Sequence, residues 1–204
     1  MSELGKTRGV IFDLDGTLVD SCLDFDAMRF EMRIPAGTPI LEAIEEMPEE
    51  RADSCRSLLY RYEMEAAEIA TLHQGVVEFL ELLDANGIHR AVVTRNRSEA
   101  AKRTLQRHAL FFEMVIARED GPAKPDPWAI HHVCGTWNIK PENALVIGDF
   151  HFDIEAGRQA GSGTMLLTHG RDASRLKGTS EPDFVVDSFA EATRILFTEL
   201  KNGG

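Results

Sequence analysis

The chain has 204 residues, a hydrophobic fraction of 43% and a formal net charge of -12, which bounds it to one medium domain, or a domain with a small insertion, with enough apolar material for a packed core. The acidic balance, with no block of basic residues, argues against a nucleic-acid partner, whose phosphates it would repel. No apolar stretch approaches the ~18–20 residues of a membrane span and residues 1–8 lack a signal-peptide core, so the expectation is a cytoplasmic protein; Cys22, Cys55 and Cys134, odd in number and far apart, fit neither a disulfide framework nor a zinc site.

Val10, Ile11 and Phe12 form a short apolar run of the kind that fills a strand buried on both faces, and Gly16 frees the chain to turn directly afterwards. Asp13 and Asp15 therefore stand at a strand's carboxyl end, where open parallel α/β sheets bind their ligands. From about residue 24 to 72 no strand pattern shows. Helical stretches at 40–47 and 48–70 are separated by breaks at Pro35, Gly37, Pro39 and Pro48. In the longer one Leu58, Leu59, Tyr62, Ala66 and Ile69 make an apolar stripe, with Arg56, Arg61, Glu63, Glu65 and Glu68 on the other side.

From Gly75 the pattern alternates: helix 75–86, strand 88–94, helix 98–108, strand 114–118, helix 127–137, strand 144–148, helix 152–160, strand 163–168, a short strand at 184–186 and a final helix at 188–200. Alternating βαβ units predict a parallel sheet with helices on both faces, which the first strand joins after the helical insertion. Polar residues again follow apolar runs at Thr94-Arg95-Asn96 and at Asp149, with Asp153 four residues on, while Lys124 lies among Pro122, Pro125 and Pro127. Read singly, each has an ordinary alternative: a strand-to-turn junction for Asp13 and Asp15, an N-cap for Thr94 or Asp149, a first-turn acid for Asp153, a solvated loop lysine for Lys124.

Taken in order, these segments acquire a common meaning. Asp13-Leu14-Asp15-Gly16-Thr17 resembles motif I of the haloacid dehalogenase superfamily, most of whose members are magnesium-dependent phosphohydrolases. Thr94 at the end of its apolar run is similar to motif II, Lys124 before a helix to motif III, and Gly148-Asp149 with Asp153 and Ala156-Gly157 to motif IV. The resemblance, to the phosphoglycolate phosphatase-like branch, spans residues 9 to 168 and implies a doubly wound parallel sheet of Rossmann-like type. It implies a core of residues 1–21 and 73–204 and a small helical C1 cap at 22–72, shorter than the usual helical cap.

A carboxylate nucleophile splits phosphomonoester hydrolysis into two easier displacements. Asp13 is the candidate nucleophile, and Asp15, on the same side of an extended segment, is the candidate general acid and then base, its proton held by nearby like charges. Thr94 and the amides of Arg95 and Asn96 are candidate phosphate donors, and Lys124 the cation that offsets transition-state charge. Mg2+ suits hard oxygen ligands: Asp13 and Asp149 fit, and the resemblance adds the carbonyl of Asp15, with Asp153 in the outer shell or holding the lysine. The expected substrate is a small phosphorylated metabolite. A phosphomutase and a non-catalytic phosphate-binding protein with this fold stand as alternatives, and the oligomeric state is not legible.

Remaining candidates are weaker. His131-His132 reads as a surface or half-buried pair, His151 as a residue near substrate, and Gly161-Ser162-Gly163 as a turn. Arg29, Arg33, Arg56 and Arg61 are insertion cations that read mostly as helix surface, with one or two of them placed to contact an anionic substrate group as the alternative.

Overall fold

In the computed structural model, which describes residues 4–173 and 180–202, β1 (Gly9–Phe12) lies in the middle of a six-stranded sheet. It pairs in parallel with β4 (His89–Val93) on one side and β6 (Ala144–Gly148) on the other. β5 (Met114–Ile116) extends the sheet beyond β4, and β7 (Gly163–Leu167) and β8 (Phe184–Val186) extend it beyond β6, all in parallel. The doubly wound parallel sheet expected from the alternation is the fold observed.

Side-chain alternation explains why β1 is apolar throughout. Val10 and Phe12 point into one hydrophobic cluster and Ile11 into another on the opposite face, so every position of the strand has a core to fill. Helices α4 (Val76–Ala85), α5 (Ser98–Arg107) and α8 (Phe189–Asn202) cover the first face through Phe79, Leu83, Leu105, Phe189 and Leu196. Helices α6 (Trp128–Trp137) and α7 (His151–Ala160) cover the second through Ile130, Val133, Trp137 and Ala156. Phe12, Phe79 and Phe189 meet with ring centroids 5.3 to 6.5 Å apart, which locks the first strand to two of its helices.

Between β1 and the rest of the sheet the chain makes α1 (Phe25–Met32), α2 (Ile40–Glu45) and α3 (Glu49–Ile69). Their apolar faces form a third cluster of their own, built on Met28, Met32, Ile40, Ile44, Cys55 and Leu59. Two features differ from the sequence expectation. A two-residue strand, β3 (Thr71–Leu72), pairs antiparallel with β2 (Val19–Asp20) and clasps the two ends of the insertion; a pairing this short is set by where the ends meet, and leaves no periodic signal. On α3 the buried face runs through Ala52, Cys55, Leu59, Glu63, Ala66 and Ala67, so Glu63 turns inward and Ile69 is exposed. The reason is an arginine partner for Glu63 from the core, described below. Elsewhere boundaries shift by a residue or two; β5 stops at Ile116 because Ala117 N–H donates to the Asp120 carboxylate instead of continuing the ladder.

Gly157 sits where α7 crosses the sheet, and a Cβ there would lie 2.6 Å from Thr164 Cγ2 and 3.2 Å from Val146 Cβ, whereas one on Gly135 in α6 would meet nothing within 4 Å. Gly157→Val is therefore expected to lower stability by about 1–3 kcal/mol through overpacking, and Gly135→Ala to raise it by about 0.5–1 kcal/mol through helix propensity alone. Urea unfolding midpoints of the two variants check both signs; equal midpoints would contradict this account of the α7 contact.

Candidate active site

The carboxyl ends of β1, β4 and β6 open into one crevice, and the turns that follow them carry the acids and the hydroxyl picked out in the sequence. After β1 the backbone doubles back at once, with Gly16 N–H donating to the Val19 carbonyl at 2.7 Å. Gly16 has φ +84°, and a Cβ on it would lie 2.3 Å from Asp149 Oδ2. Only glycine lets the motif I turn pass so close to the acid that follows β6. Thr17 completes the contact, its Oγ1 donating to Asp149 Oδ1 at 3.3 Å.

Lys124 comes from the loop before α6 and buries its ammonium among three acceptors: Asp13 Oδ1 at 2.7 Å, Asp153 Oδ1 at 2.6 Å and the Val93 carbonyl at 2.6 Å. Burial works to lower the pKa of Lys124, but Asp13 and Asp153 outweigh it and the net direction is up, so the lysine is a cation. Asp153 has a second duty: its Oδ2 accepts from Phe150 N–H at 3.1 Å, fixing the start of α7.

Asp13, Asp149 and Asp153 bring carboxylate oxygens within 4.8 Å of one another. Burial raises the Asp13 carboxyl well above its ordinary value, against Lys124 and with the help of Asp153, Asp149 and Asp15. Burial and then Asp153 push Asp149 up to about 6, against Arg171. Such crowding of hard, buried oxygens suits a small divalent cation, and Asp13 and Asp149 have the donor chemistry that Mg2+ takes. Asp15 is also raised, chiefly by burial. This corrects the expectation that close like charges hold its proton: the removal of water around the carboxyl is the larger cause, while Asn96, Ser21 and Lys124 act to lower it.

The motif II loop is tighter than expected. Thr94 is buried and its Oγ1 accepts from Asn96 N–H at 3.0 Å, so the Asn96 amide, expected as a phosphate donor, is engaged within the loop. The Asn96 side chain is what reaches the site, Nδ2 donating to Asp15 Oδ2 at 2.9 Å. The Arg95 side chain leaves the loop toward the insertion. Thr94 does not cap α5, whose N-cap is Arg97 with no side-chain bond. His151 packs among Phe150 and Phe152 with a buried Nδ1 that lacks a partner among the described residues. His131 and His132 are exposed or nearly so at the surface of α6 and meet no metal-ligating partner, and Gly161 ends α7 as a left-handed turn.

Several neighbours carry no signal in the motifs themselves. Arg171, beyond β7, donates to Asp149 Oδ2 at 2.8 Å. His169 Nε2 lies 3.1 Å from the Thr17 carbonyl and its ring stacks on His73 at 3.5 Å, bracing the motif I turn. Their position past a parallel strand's carboxyl end is the one available pointer to them. From the insertion, Glu63 accepts two bonds from Arg118 at 2.7 and 3.0 Å, and Glu42 two from Arg95 at 2.7 and 2.8 Å. Instead of facing the site, the insertion cations Arg56 and Arg61 pair with Glu49, Asp53 and Glu31 of the insertion itself. No helix among the described residues is long and apolar enough to cross a membrane.

Residues 29–167 match the model of the haloacid dehalogenase-like hydrolases. A haloacid dehalogenase-like hydrolase domain-containing protein of Arabidopsis thaliana is 32% identical over 95% of this chain and 85% of its own length. The chain belongs to the haloacid dehalogenase-like hydrolase family. The chain is also similar to phosphoglycolate phosphatase 1 of Pseudomonas aeruginosa, 29% identical over 90% of this chain and 78% of that one. In fold it resembles a predicted phosphatase of Clostridium acetobutylicum, with a TM-score of 0.78 at 20% identity over 94% of this chain and 99% of that one. The family match opens beyond Asp13 and Asp15, so for this hydrolase the grouping of those acids with Lys124 and Asp149 rests on the fold itself.

With metal absent, Asp149 at about 6 stands above the ~3.9 of an unfolded aspartate. A raised carboxyl holds more protons folded than unfolded between those values, so its stabilisation is full below about 4 and is lost as pH rises through about 6. In chelator, native protein is therefore expected to lose on the order of 1–2 kcal/mol relative to Asp149→Asn between about pH 5 and about pH 7.5. Saturating magnesium should reverse that slope for the native protein only. Thermal melts of both proteins across the range check it, and parallel curves in chelator would contradict the raised carboxyl.

Proposed function

We propose that this hydrolase is a magnesium-dependent phosphatase of small phosphomonoesters, with Asp13 as the nucleophile. The observation that carries the reading is the buried Lys124 ammonium bonded at once to Asp13 and Asp153, beside Asp149 and Asp15. That arrangement points a carboxylate oxygen, a fixed cation and a protonatable acid into one crevice. Relatives named phosphoglycolate phosphatase support a small phosphorylated metabolite as substrate.

An Asp13 oxygen attacks phosphorus, the bond from phosphorus to the ester oxygen breaks, and Asp15 gives its proton to the departing alkoxide. Burial, which keeps Asp15 protonated to higher pH than an exposed aspartate, supports the acid role. Now ionised, Asp15 takes a proton from water as that water attacks the aspartyl phosphate; the phosphorus bond to Asp13 breaks and inorganic phosphate leaves. Asn96, bonded to Asp15, orients the acid through both steps. Thr94 and Lys124 border the phosphoryl oxygens, and Lys124 balances negative charge throughout. Asp13, Asp149 and the Asp15 carbonyl would hold Mg2+, with Asp153 set back to position Lys124; the ion would neutralise phosphoryl charge and orient the group for in-line attack.

In this reading α1–α3 is a cap over the crevice. Glu42 and Glu63 tie it to Arg95 and Arg118, Glu68 to Arg103, and the Arg107 side chain donates to the Ala70 carbonyl. The Glu63, Glu68 and Ala70 contacts hold the cap over a bound ester and so exclude bulk water until the leaving group has gone.

Phosphate release from a panel of monoesters, with magnesium or chelator, tests the proposal. Asp13→Asn is expected to lose at least ~10³-fold in kcat, and Asp15→Asn ~10²–10⁴-fold, most steeply with poor leaving groups that need a proton. Native protein, but not Asp13→Asn, should yield a phosphoryl adduct on the Asp13 peptide after rapid acid quench. Turnover by Asp13→Asn at the native rate would overturn the mechanism.

A further inference from the structure

The chemistry above uses the side chains on either side of Arg95, those of Thr94 and Asn96, but leaves its guanidinium without a task. That group is held from the core on two sides: Nη1 donates to the Lys124 carbonyl, and Cζ lies 4.2 Å from the centroid of the Phe152 ring. Its Nη2 meets both Glu42 oxygens at 2.7 and 2.8 Å. Arg95 is thus one residue from Thr94 and bonded to the main chain of the residue whose ammonium holds Asp13.

The two members of the pair are unequally fixed. The Arg95 side chain is 19% exposed and anchored by the core, whereas Glu42 is 44% exposed and sits on α2, a helix of six residues in the insertion. The parallel pair is different: Glu63 is only 5% exposed and cannot leave Arg118 without stranding a buried charge. Glu42 can be exchanged for water, or for another carboxylate, at little cost. A guanidinium whose Nη2 already holds a carboxylate, on the residue next to Thr94, accepts a substrate carboxylate in place of Glu42 with no change in charge balance at that nitrogen.

We infer that Arg95 is a specificity-determining residue that binds a carboxylate on the leaving group of the phosphomonoester, and that Glu42 occupies it as an internal competitor until substrate arrives. The inference rests on the phosphatase reading of the same site. Substrate binding then releases one of the ties between insertion and core while leaving the Glu63 tie in place.

The test compares 2-phosphoglycolate with 2-hydroxyethyl phosphate, esters of the same phosphoryl group that differ in carrying a carboxylate or a hydroxyl. Native protein is expected to favour the carboxylate ester in kcat/KM by ~10-fold or more, Arg95→Gln to bring the ratio to about one, and Arg95→Lys to fall between, because it keeps the charge but loses the planar group anchored on the Lys124 carbonyl and Phe152. Glu42→Gln should lower KM for the carboxylate ester and so raise the ratio. If both esters lose activity by the same factor in Arg95→Gln, or if the native ratio favours the hydroxyl ester, Arg95 is only a tie between insertion and core and the inference falls. Calorimetric binding of the two esters to Asp13→Asn and to Asp13→Asn/Arg95→Gln reads the preference without turnover. Absence of turnover on every ester would sink the phosphatase reading, and the binding ratio would still decide for or against Arg95.

Discussion

A lysine ammonium with almost no access to water is the constraint around which this molecule is arranged. Lys124 is 4% exposed, and an ammonium removed from water is tolerated only where its donors all find acceptors and its charge a counter-charge. Three acceptors do this, from three separate parts of the chain: Asp13 after β1, the Val93 carbonyl at the end of β4, and Asp153 in the first turn of α7. None can move alone without leaving a buried N–H of the ammonium without its acceptor. The lysine therefore fixes the relative height of strands β1 and β4 and of helix α7 at the mouth of the crevice. Asp153 extends the constraint by holding the amide of Phe150 with its other oxygen.

The same economy of space governs the turn after β1. With Asp149 Oδ2 only 2.3 Å from where a Gly16 Cβ would stand, the acid after β6 is packed onto the motif I backbone. Thr17 and Arg171 each donate to one of its oxygens. Arg171 is 52% exposed, a solvent-facing cation able to yield that oxygen to a metal ion without a buried charge being stranded. The grip on the insertion has the opposite polarity from what a substrate-binding cap suggests in sequence. Carboxylates come from the insertion and guanidinium groups from the core, because the core rim already carries Arg95, Arg103 and Arg118.

Much of this is legible in the amino-acid sequence alone, because local patterns carry it. An apolar run that ends on acids and glycine marks a buried parallel strand and its carboxyl-end turn, and Asp13, Asp15, Thr94, Lys124, Asp149 and Asp153 all stand at such ends or in the loops beside them. What stays hidden depends on partners distant in sequence. Glu63 sits among charged residues on a helix whose periodicity assigns it to solvent, and only Arg118, 55 positions away, turns it inward. The sequence pattern points to the amides of Arg95 and Asn96, yet it is their side chains that bond Glu42 and Asp15, contacts that no spacing rule encodes. The β2–β3 clasp is two residues long on each strand, too short for any alternation to show.

Charge raises the last question, since an acidic protein has to receive an acidic substrate. Two carboxylates ~4 Å apart repel by about 4 kcal/mol at the effective dielectric of a protein surface, and Asp13, Asp149 and Asp153 stand within 4.8 Å of one another through their oxygens. One fixed lysine cannot balance three of them, which is why burial and Asp153 together raise Asp149 even with Arg171 attached. A phosphoryl dianion added to that cluster would make matters worse. A divalent cation changes the sign of the problem, because the crowding that raises these carboxyls in its absence becomes affinity in its presence. Burial is the largest cause at Asp15 as it is at Asp13 and Asp149, but at Asp15 no carboxylate is among the causes. A cation that relieves the crowding of the other aspartates would therefore not remove the chief cause that raises Asp15. On the phosphatase reading, that difference in surroundings separates the role of nucleophile from that of proton donor within one turn.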